Sequence, residues 1–342
     1  MDDNLTTRRR LPTLDDVAAL AGVGRGTVSR AINGAPNVSE RSQAAVMAAV
    51  ETLGYVPNKA ARSLVTRRND SVTLVISESE ERFFSEPFFA AVVRGITGAL
   101  AAASQTLLLT MVQTEEQHRA LESYLVSAHV DGVMMLSLHG QDPLPGRLEE
   151  RGLPLVLGGR PPEGVAVTYV DVDNVAGARD AVHHLLQTGR RRVAAIGGPG
   201  DMAVSWDRMS GYARAHEEFE VAQDPALVEP GDFTEEGGRR AMKALLDRAP
   251  DIDAVFAASD LMAAGALREL DSRGRRVPVD VAVVGFDDAP VCRHTEPQLT
   301  TVAQPVEEMG AVMAGLLLDR IAGREVPAET VLPTSLVVRG SS

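Results

Sequence analysis

One cysteine, Cys292, stands in 342 residues. That excludes an internal disulfide framework and a cysteine-based metal cluster. No apolar run reaches the roughly eighteen residues of a membrane-spanning helix. The opening Met1-Asp-Asp-Asn-Leu-Thr-Thr-Arg-Arg-Arg10 lacks the apolar centre of a secretory signal. A cytoplasmic protein is expected. Lysine is almost missing: Lys59 and Lys243 are the only two, so cationic contacts fall to arginine, a usage compatible with a G+C-rich genome. Aromatic residues make up 4% of the chain, so any cluster of them carries weight. No metal-ligand spacing and no nucleophile beside a base can be found. Gly197-Gly-Pro-Gly200 follows an apolar run but lacks the lysine of a phosphate-binding loop, and reads as a strand-end turn. No enzyme and no cofactor are expected.

What is there begins with charge. The net charge of −13 hides an asymmetry: residues 1–68 carry +4 and the remainder −17. A basic head on an acidic body points to a polyanion met by the head alone. Within it, Leu14, Val17, Ala18 and Ala21 fall on one helical stripe. Thr13 stands as its N-cap, and Asp15 and Asp16 fall in its first turn, where the helix dipole favours acids. Gly22 breaks the pattern. A second short helix turns Val28 and Ile32 inward and Arg25, Gly26, Ser29 and Arg30 outward. Helix, glycine turn, helix is a helix-turn-helix, whose second helix enters the DNA major groove; an ordinary αα-hairpin is the plainer alternative. Ser39 caps a third helix carrying Val46, Ala49, Val50 and Leu53, which Gly54 stops.

Residues 1–11 read as a mobile arm in which Arg8–Arg10 touch phosphate or simply stay solvated. Residues 12–57 form the DNA-binding domain, and 58–68 a hinge helix and linker. Asn58 caps that hinge helix, which is about two turns long, runs through Val65 and is too short to hold alone. Leu64 is its prominent apolar residue. From Ser71 onward, short apolar runs alternate with helical segments. The runs are Val72–Ile76, Leu107–Met111, Val133–Leu136, Leu155–Leu157, Val193–Ile196, Ala254–Ala257 and Val281–Val284. The pattern implies an α/β core, residues 70–342, of two parallel sheets with a cleft between them and ligands beyond the carboxyl ends of the strands.

Several motifs resemble the lactose-repressor (LacI/GalR) family. They are Thr13-Leu-Asp-Asp-Val-Ala18, Ala21-Gly-Val23, Thr27-Val-Ser-Arg30, Leu53-Gly-Tyr-Val-Pro-Asn58, Asp131-Gly-Val133, Asp173-Asn174, Gly285-Phe-Asp-Asp288 and Leu299-Thr-Thr-Val302. The likeness runs from about Pro12 to Arg339. Gly24-Arg-Gly-Thr27, Phe84-Ser-Glu-Pro-Phe-Phe89, Leu136-Ser-Leu-His139, Asp142-Pro-Leu-Pro145 and Gly158-Gly-Arg-Pro161 look like the family's actinobacterial cello-oligosaccharide repressors. The resemblance implies a homodimeric transcriptional repressor with a core similar to periplasmic sugar-binding proteins. One subdomain would span 70–171 and 304–332, the other 172–303 and 333–342. No heptad segment follows the terminal strand Leu336–Arg339, so a dimer rather than a tetramer is expected. The partners would be a palindromic DNA operator, a small cellobiose-like sugar and a second copy of the chain. The alternative is a corepressor-type regulator that binds a purine or other metabolite.

The resemblance also assigns residues. Arg25 and Gly26 would read bases, Gly26 by close backbone approach, and Arg30 would read a base or clamp a phosphate. Thr27, Ser29, Asn33, Ser39 and Tyr55 would position phosphates, and Thr13, with Asn58 and Ala61 of the hinge, would belong to the same DNA-binding set. Leu64 would wedge into the central base step or pack on its dimer mate. A sugar pocket needs an aromatic platform and planar polar groups. Platform candidates are Phe83, Phe84, Phe88, Trp206 and Phe233, against the plainer reading of core packing. Arg208, in Arg208-Met-Ser-Gly-Tyr212, would grip ligand hydroxyls or carboxylates; Asp287 would accept from hydroxyls; Gln304 would line the cleft. Ser259 and Asp260 stand where Asn-Asp is frequent, and Arg160 beside a frequent Asp position. Ser137 and His139 could reach hydroxyls, His139 equally being a surface residue.

Overall fold

The computed structural model describes residues 12–33, 35, 37–55, 69–127, 129–140 and 142–342. The chain divides into two compact units, residues 1–69 and 70–342.

In the first unit α1 (Leu14–Ala21), α2 (Arg25–Ile32) and α3 (Glu40–Leu53) close on each other. Thr13 and Asp16 form a capping box: the Asp16 amide donates to the Thr13 hydroxyl (3.3 Å) and the Thr13 amide to the Asp16 carboxylate (2.7 Å). Gly22 and Gly54 end α1 and α3 at φ of 65° and 61°, the left-handed conformation that glycine enters without strain. Val17, Val28, Ala31, Val46, Ala49 and Tyr55 form the core. Tyr55 packs its ring into this core and is 8% exposed. Asn58, Ala61 and Leu64, the hinge helix and Arg8–Arg10 lie outside the described residues.

The second unit holds two six-stranded sheets. In the first, β1 (Ser71–Ile76), β2 (Thr106–Met111), β3 (Gly132–Leu136), β4 (Leu155–Gly158) and β5 (Tyr169–Val172) are joined by β11 (Glu329–Leu332), in the order β11-β5-β4-β3-β1-β2. In the second, β6 (Val193–Ile196), β7 (Val228–Glu229), β8 (Ala254–Ala257), β9 (Ala282–Asp287) and β10 (Thr300–Ala303) are joined by β12 (Ser335–Val337), in the order β12-β10-β9-β8-β6-β7. Every pairing is parallel except β10 with β12.

The chain crosses between sheets after Val172, Ala303 and Leu332. Val172 still pairs with Leu332 in the first sheet, one residue beyond the boundary the sequence suggests. Strands such as β3 and β8 are buried along their whole length because helices cover both faces. Both sheets repeat one topology, whose switch point lies between β1 and β3 in the first and β6 and β8 in the second. Their carboxyl ends face one cleft, where such sheets bind ligands. Among the described residues no helix is long and apolar enough to cross a membrane.

Candidate functional site

The first candidate surface is the outer face of α2. Arg25, Gly26 and Arg30 are exposed, Thr27 and Ser29 half-buried. Gly24 supplies no side-chain cap, so the first amides of α2 are left for an outside acceptor such as a phosphate. The Arg30 guanidinium is braced from its own helix, by the Gly26 carbonyl (3.2 Å) and the Thr27 hydroxyl (3.4 Å). Arg25 lies 3.7 Å from Asp15, with both side chains exposed. Asn33 donates to the Ser29 carbonyl (2.8 Å), and the exposed Ser39 caps α3.

The second is the cleft of the 70–342 unit. About 780 Å³ of empty space lies in it, open solvent at the mouth included. After β1, Ser79 caps the short helix α4 (Glu80–Ser85), and Pro87 starts α5 (Pro87–Ala102). Arg82 and Glu86, one turn apart, face the cavity and pair at 3.0 Å. From the other sheet, α9 (Ala203–Glu218) delivers Arg208, which is buried. Its Nε donates to Asn174 (3.0 Å), Nη1 donates to the Ala258 carbonyl (2.5 Å) and lies 3.4 Å from Asp287, and the guanidinium stacks 3.8 Å from the Phe286 ring centroid. Burial draws the Arg208 pKa below its usual value, against the pull of Asp287.

Asp287 also accepts from Gln304. Asp171 accepts from the Arg160 amide (3.0 Å), the Val172 amide (2.7 Å) and Asn174 (3.0 Å). Desolvation raises Asp171 to about 6 and Glu86 to about 7, and pushes Asp287 upward as well. Phe233 supplies an aromatic face, held at φ 64° and 5% exposed, with Arg82 5.0 Å above its centroid. A Cβ on Gly198 would stand 2.2 Å from the Phe233 ring, so the Gly197–Gly200 turn makes room for this platform. The cavity thus combines the Phe233 ring face, apolar walls from Phe88, Leu136, Met202 and Met309, and planar donors and acceptors.

Of the residues singled out in the sequence, Phe88, Ser137, Arg160, Arg208, Phe233, Asp287 and Gln304 line this cavity. Others stand elsewhere. Phe83 packs on the first sheet's core and against Phe84, centroids 5.0 Å apart; Phe84 itself is 77% exposed. Ser259 is buried as the N-cap of α11 (Asp260–Ser272). Asp260, fully buried, accepts from Thr301 (2.5 Å) and the Ala289 amide (2.7 Å). Trp206 sits 65% exposed, its indole N–H donating to the Gly200 carbonyl (2.6 Å). His139 is bound on both ring nitrogens by carboxylates, Glu78 (3.0 Å) and Asp201 (2.9 Å). Arg160 lines the mouth while its side chain pairs across the cleft with Asp207 (2.8 Å).

Sequence reasoning missed Arg82, Glu86, Asp171 and Asn174. The Arg82–Glu86 spacing of four was a legible signal. Asp171 and Asn174 fall at the end of β5, a polar strand that gives no apolar run.

A model described as bacterial regulatory proteins, lacI family, matches residues 13–58, and a periplasmic binding protein-like domain matches residues 182–342. The HTH-type transcriptional regulator CelR of Thermobifida fusca is 54% identical over 338 residues, covering 98% of this chain and 99% of its own. The chain belongs to the lacI family of bacterial regulatory proteins. The HTH-type transcriptional repressor CytR of Escherichia coli K12 is 33% identical over 334 residues, 96% of each chain. Among solved structures, a transcriptional regulator CelR–cellobiose complex superposes with a TM-score of 0.78 at 51% identity, covering 97% of this chain and 100% of that one. The lac repressor dimer bound to operator and the anti-inducer ONPF gives 0.86 at 26% identity, covering 96% and 98%. This lacI-family chain is therefore a transcriptional regulator with a helix-turn-helix for DNA and a ligand-binding core.

Proposed function

We propose that the chain is a sequence-specific repressor released from a palindromic operator when its cleft binds cellobiose or another cello-oligosaccharide. The observation that carries this is the cavity itself: the Phe233 ring beside Arg208, Asp287, Asp171 and Glu86, in a chain 54% identical to a regulator whose counterpart structure holds cellobiose. Phe233 takes a pyranose face; Arg208 donates to hydroxyls, and Asp287 and Asp171 accept from them. Arg25 and Arg30 contact the major groove, with Gly26 admitting the backbone. An Arg–guanine contact there discriminates by roughly 1–3 kcal/mol. Two copies set two half-sites in register, so the working species is a homodimer. The subdomain boundaries proposed for it follow the crossovers near residues 172, 303 and 332. Its role is regulatory, with no catalytic step.

The test is a fluorescence-anisotropy titration of an inverted-repeat duplex, followed by cellobiose, cellotriose, lactose, maltose and guanine in turn. Cellobiose or cellotriose is expected to lower operator affinity, and operator to lower saccharide affinity by the same factor. Stronger operator binding on adding guanine would replace this reading with that of a purine corepressor.

A further inference from the structure

We infer that His139 is a positioning residue for the effector site: by tying the loop after β1 to the loop after β6, it fixes Arg82 in the cavity and makes saccharide affinity depend on its own protonation. This rests on the sugar reading above. The ring follows β3 on the first sheet. Its Nε2 lies 3.0 Å from Glu78, after β1, and its Nδ1 2.9 Å from Asp201, after β6. The Gly140 amide adds a bond to the Asp201 carbonyl (2.8 Å).

Glu78, 7% exposed, also accepts from Arg82. Arg82 in turn bonds Glu86, reaches the Met202 sulfur (3.9 Å) and lies over Phe233. One line of contacts therefore runs Asp201–His139–Glu78–Arg82–Phe233, crossing the cleft twice. A neutral imidazole has one donor and one acceptor, so it can satisfy only one carboxylate and sets a lone pair against the other; the imidazolium donates to both.

Other titratable and charged groups also stand near the ring. On its far side His118 lies 3.6 Å from Asp142, and Arg147 lies 3.0 Å from Glu122. The hydrogen bond to Glu78 raises the His139 pKa above its ordinary value, with Asp201 acting in the same direction and burial opposing. Raising the pH through that shifted pKa removes the proton, breaks one of the two ties and loosens Arg82.

The experiment is calorimetry of cellobiose binding to the full chain between about pH 6 and 9, for wild type, His139→Gln and Asp201→Asn. Wild-type affinity is expected to fall about tenfold over that range. His139→Gln should bind more weakly at the acid end and keep only the slope due to the cavity's carboxyls, Glu86, Asp171, Asp287 and the Asp260 behind it. Asp201→Asn should move the fall to lower pH. Superimposable wild-type and His139→Gln profiles would overturn the inference.

If wild type binds no saccharide, the sugar reading has failed, and the tie is then judged in ligand-free protein. Trp206 is the chain's one tryptophan, and its indole N–H donates to Gly200, next to Asp201. Its emission should titrate in wild type and stay flat in His139→Gln; equal behaviour in both would sink the tie as well.

Discussion

Asp260 shows how far one carboxyl can be moved by its surroundings. It has no exposed surface, and burial together with the nearby Asp287 raises its pKa to about 8 from an ordinary 3.8. The folded state then holds a proton that the unfolded state has released. Stability contributed by that proton is full below about pH 4 and is lost as pH climbs towards 8. Asp260→Asn keeps an acceptor for the Ala289 amide, offers its NH2 to the Thr301 hydroxyl and has no proton to lose. Its urea midpoint should change less between pH 5 and 8 than wild type (the range is on the order of the two pKa values). A wild-type midpoint that rises over this range would contradict the assignment. Sequence resemblance places Asp260 against the ligand. The structure gives its oxygens to Thr301 and Ala289, so its effect on the cavity passes through repulsion of Asp287.

At the scale of the element, α2 is held by position more than by propensity. Gly24 and Gly26 open it, and neither glycine has any atom within 4 Å of where a Cβ would stand. Gly26→Ala should therefore fit without strain and stabilise the helix by about 0.8–1 kcal/mol, the usual cost of glycine against alanine. Under the proposed reading, the added methyl also occupies the surface that approaches the bases. The variant should raise the melting point of the DNA-binding unit while weakening operator binding in the anisotropy assay. Unchanged operator affinity would remove Gly26 from the interface. The helices of this unit were legible in the sequence because their signals are local: the Thr13 capping box, the glycine stops and the stripe Leu14–Val17–Ala18–Ala21. Strands β3, β4, β6 and β8 were legible for a similar reason, being short apolar runs between helices. β5 and β11 were not, because Tyr169-Val-Asp-Val172 and Glu329-Thr-Val-Leu332 alternate with polar residues and follow no apolar run.

For the molecule as a whole, the returning helix α12 (Val306–Ile321) closes the first sheet's lobe after the chain has built most of the second. It packs against α5 with no room to spare. A Cβ on Gly95 would stand 1.9 Å from the Glu307 carbonyl oxygen, and one on Gly310 would stand 2.3 Å from the Val92 carbonyl oxygen. Gly95→Ala must push backbone from backbone, costing about 1–3 kcal/mol or more. A urea melt of the full chain should show the loss, and an unchanged midpoint would mean that the helices can separate freely.

Sequence alone determined that the chain folds as a capped helix-turn-helix followed by a doubled α/β core, that its head is basic and its body acidic, and that its motifs are those of the lacI family. The first two follow from periodicity, caps and composition, which act over a few residues; the third is a resemblance carried by the motifs themselves. Tertiary structure decided which polar side chains line the cavity and which meet one another elsewhere. Arg208 on α9, Phe233 after β7 and Asp287 at the end of β9 converge from the second sheet's lobe, and Arg82, Glu86 and Asp171 reach the same cavity from the first. His139 and Asp260 carry equally suitable chemistry, but carboxylates occupy both nitrogens of one, and a hydroxyl and an amide occupy the oxygens of the other. The physical reason is that a buried polar group must find its partner across the fold, and only sheet order and crossovers set what lies opposite it.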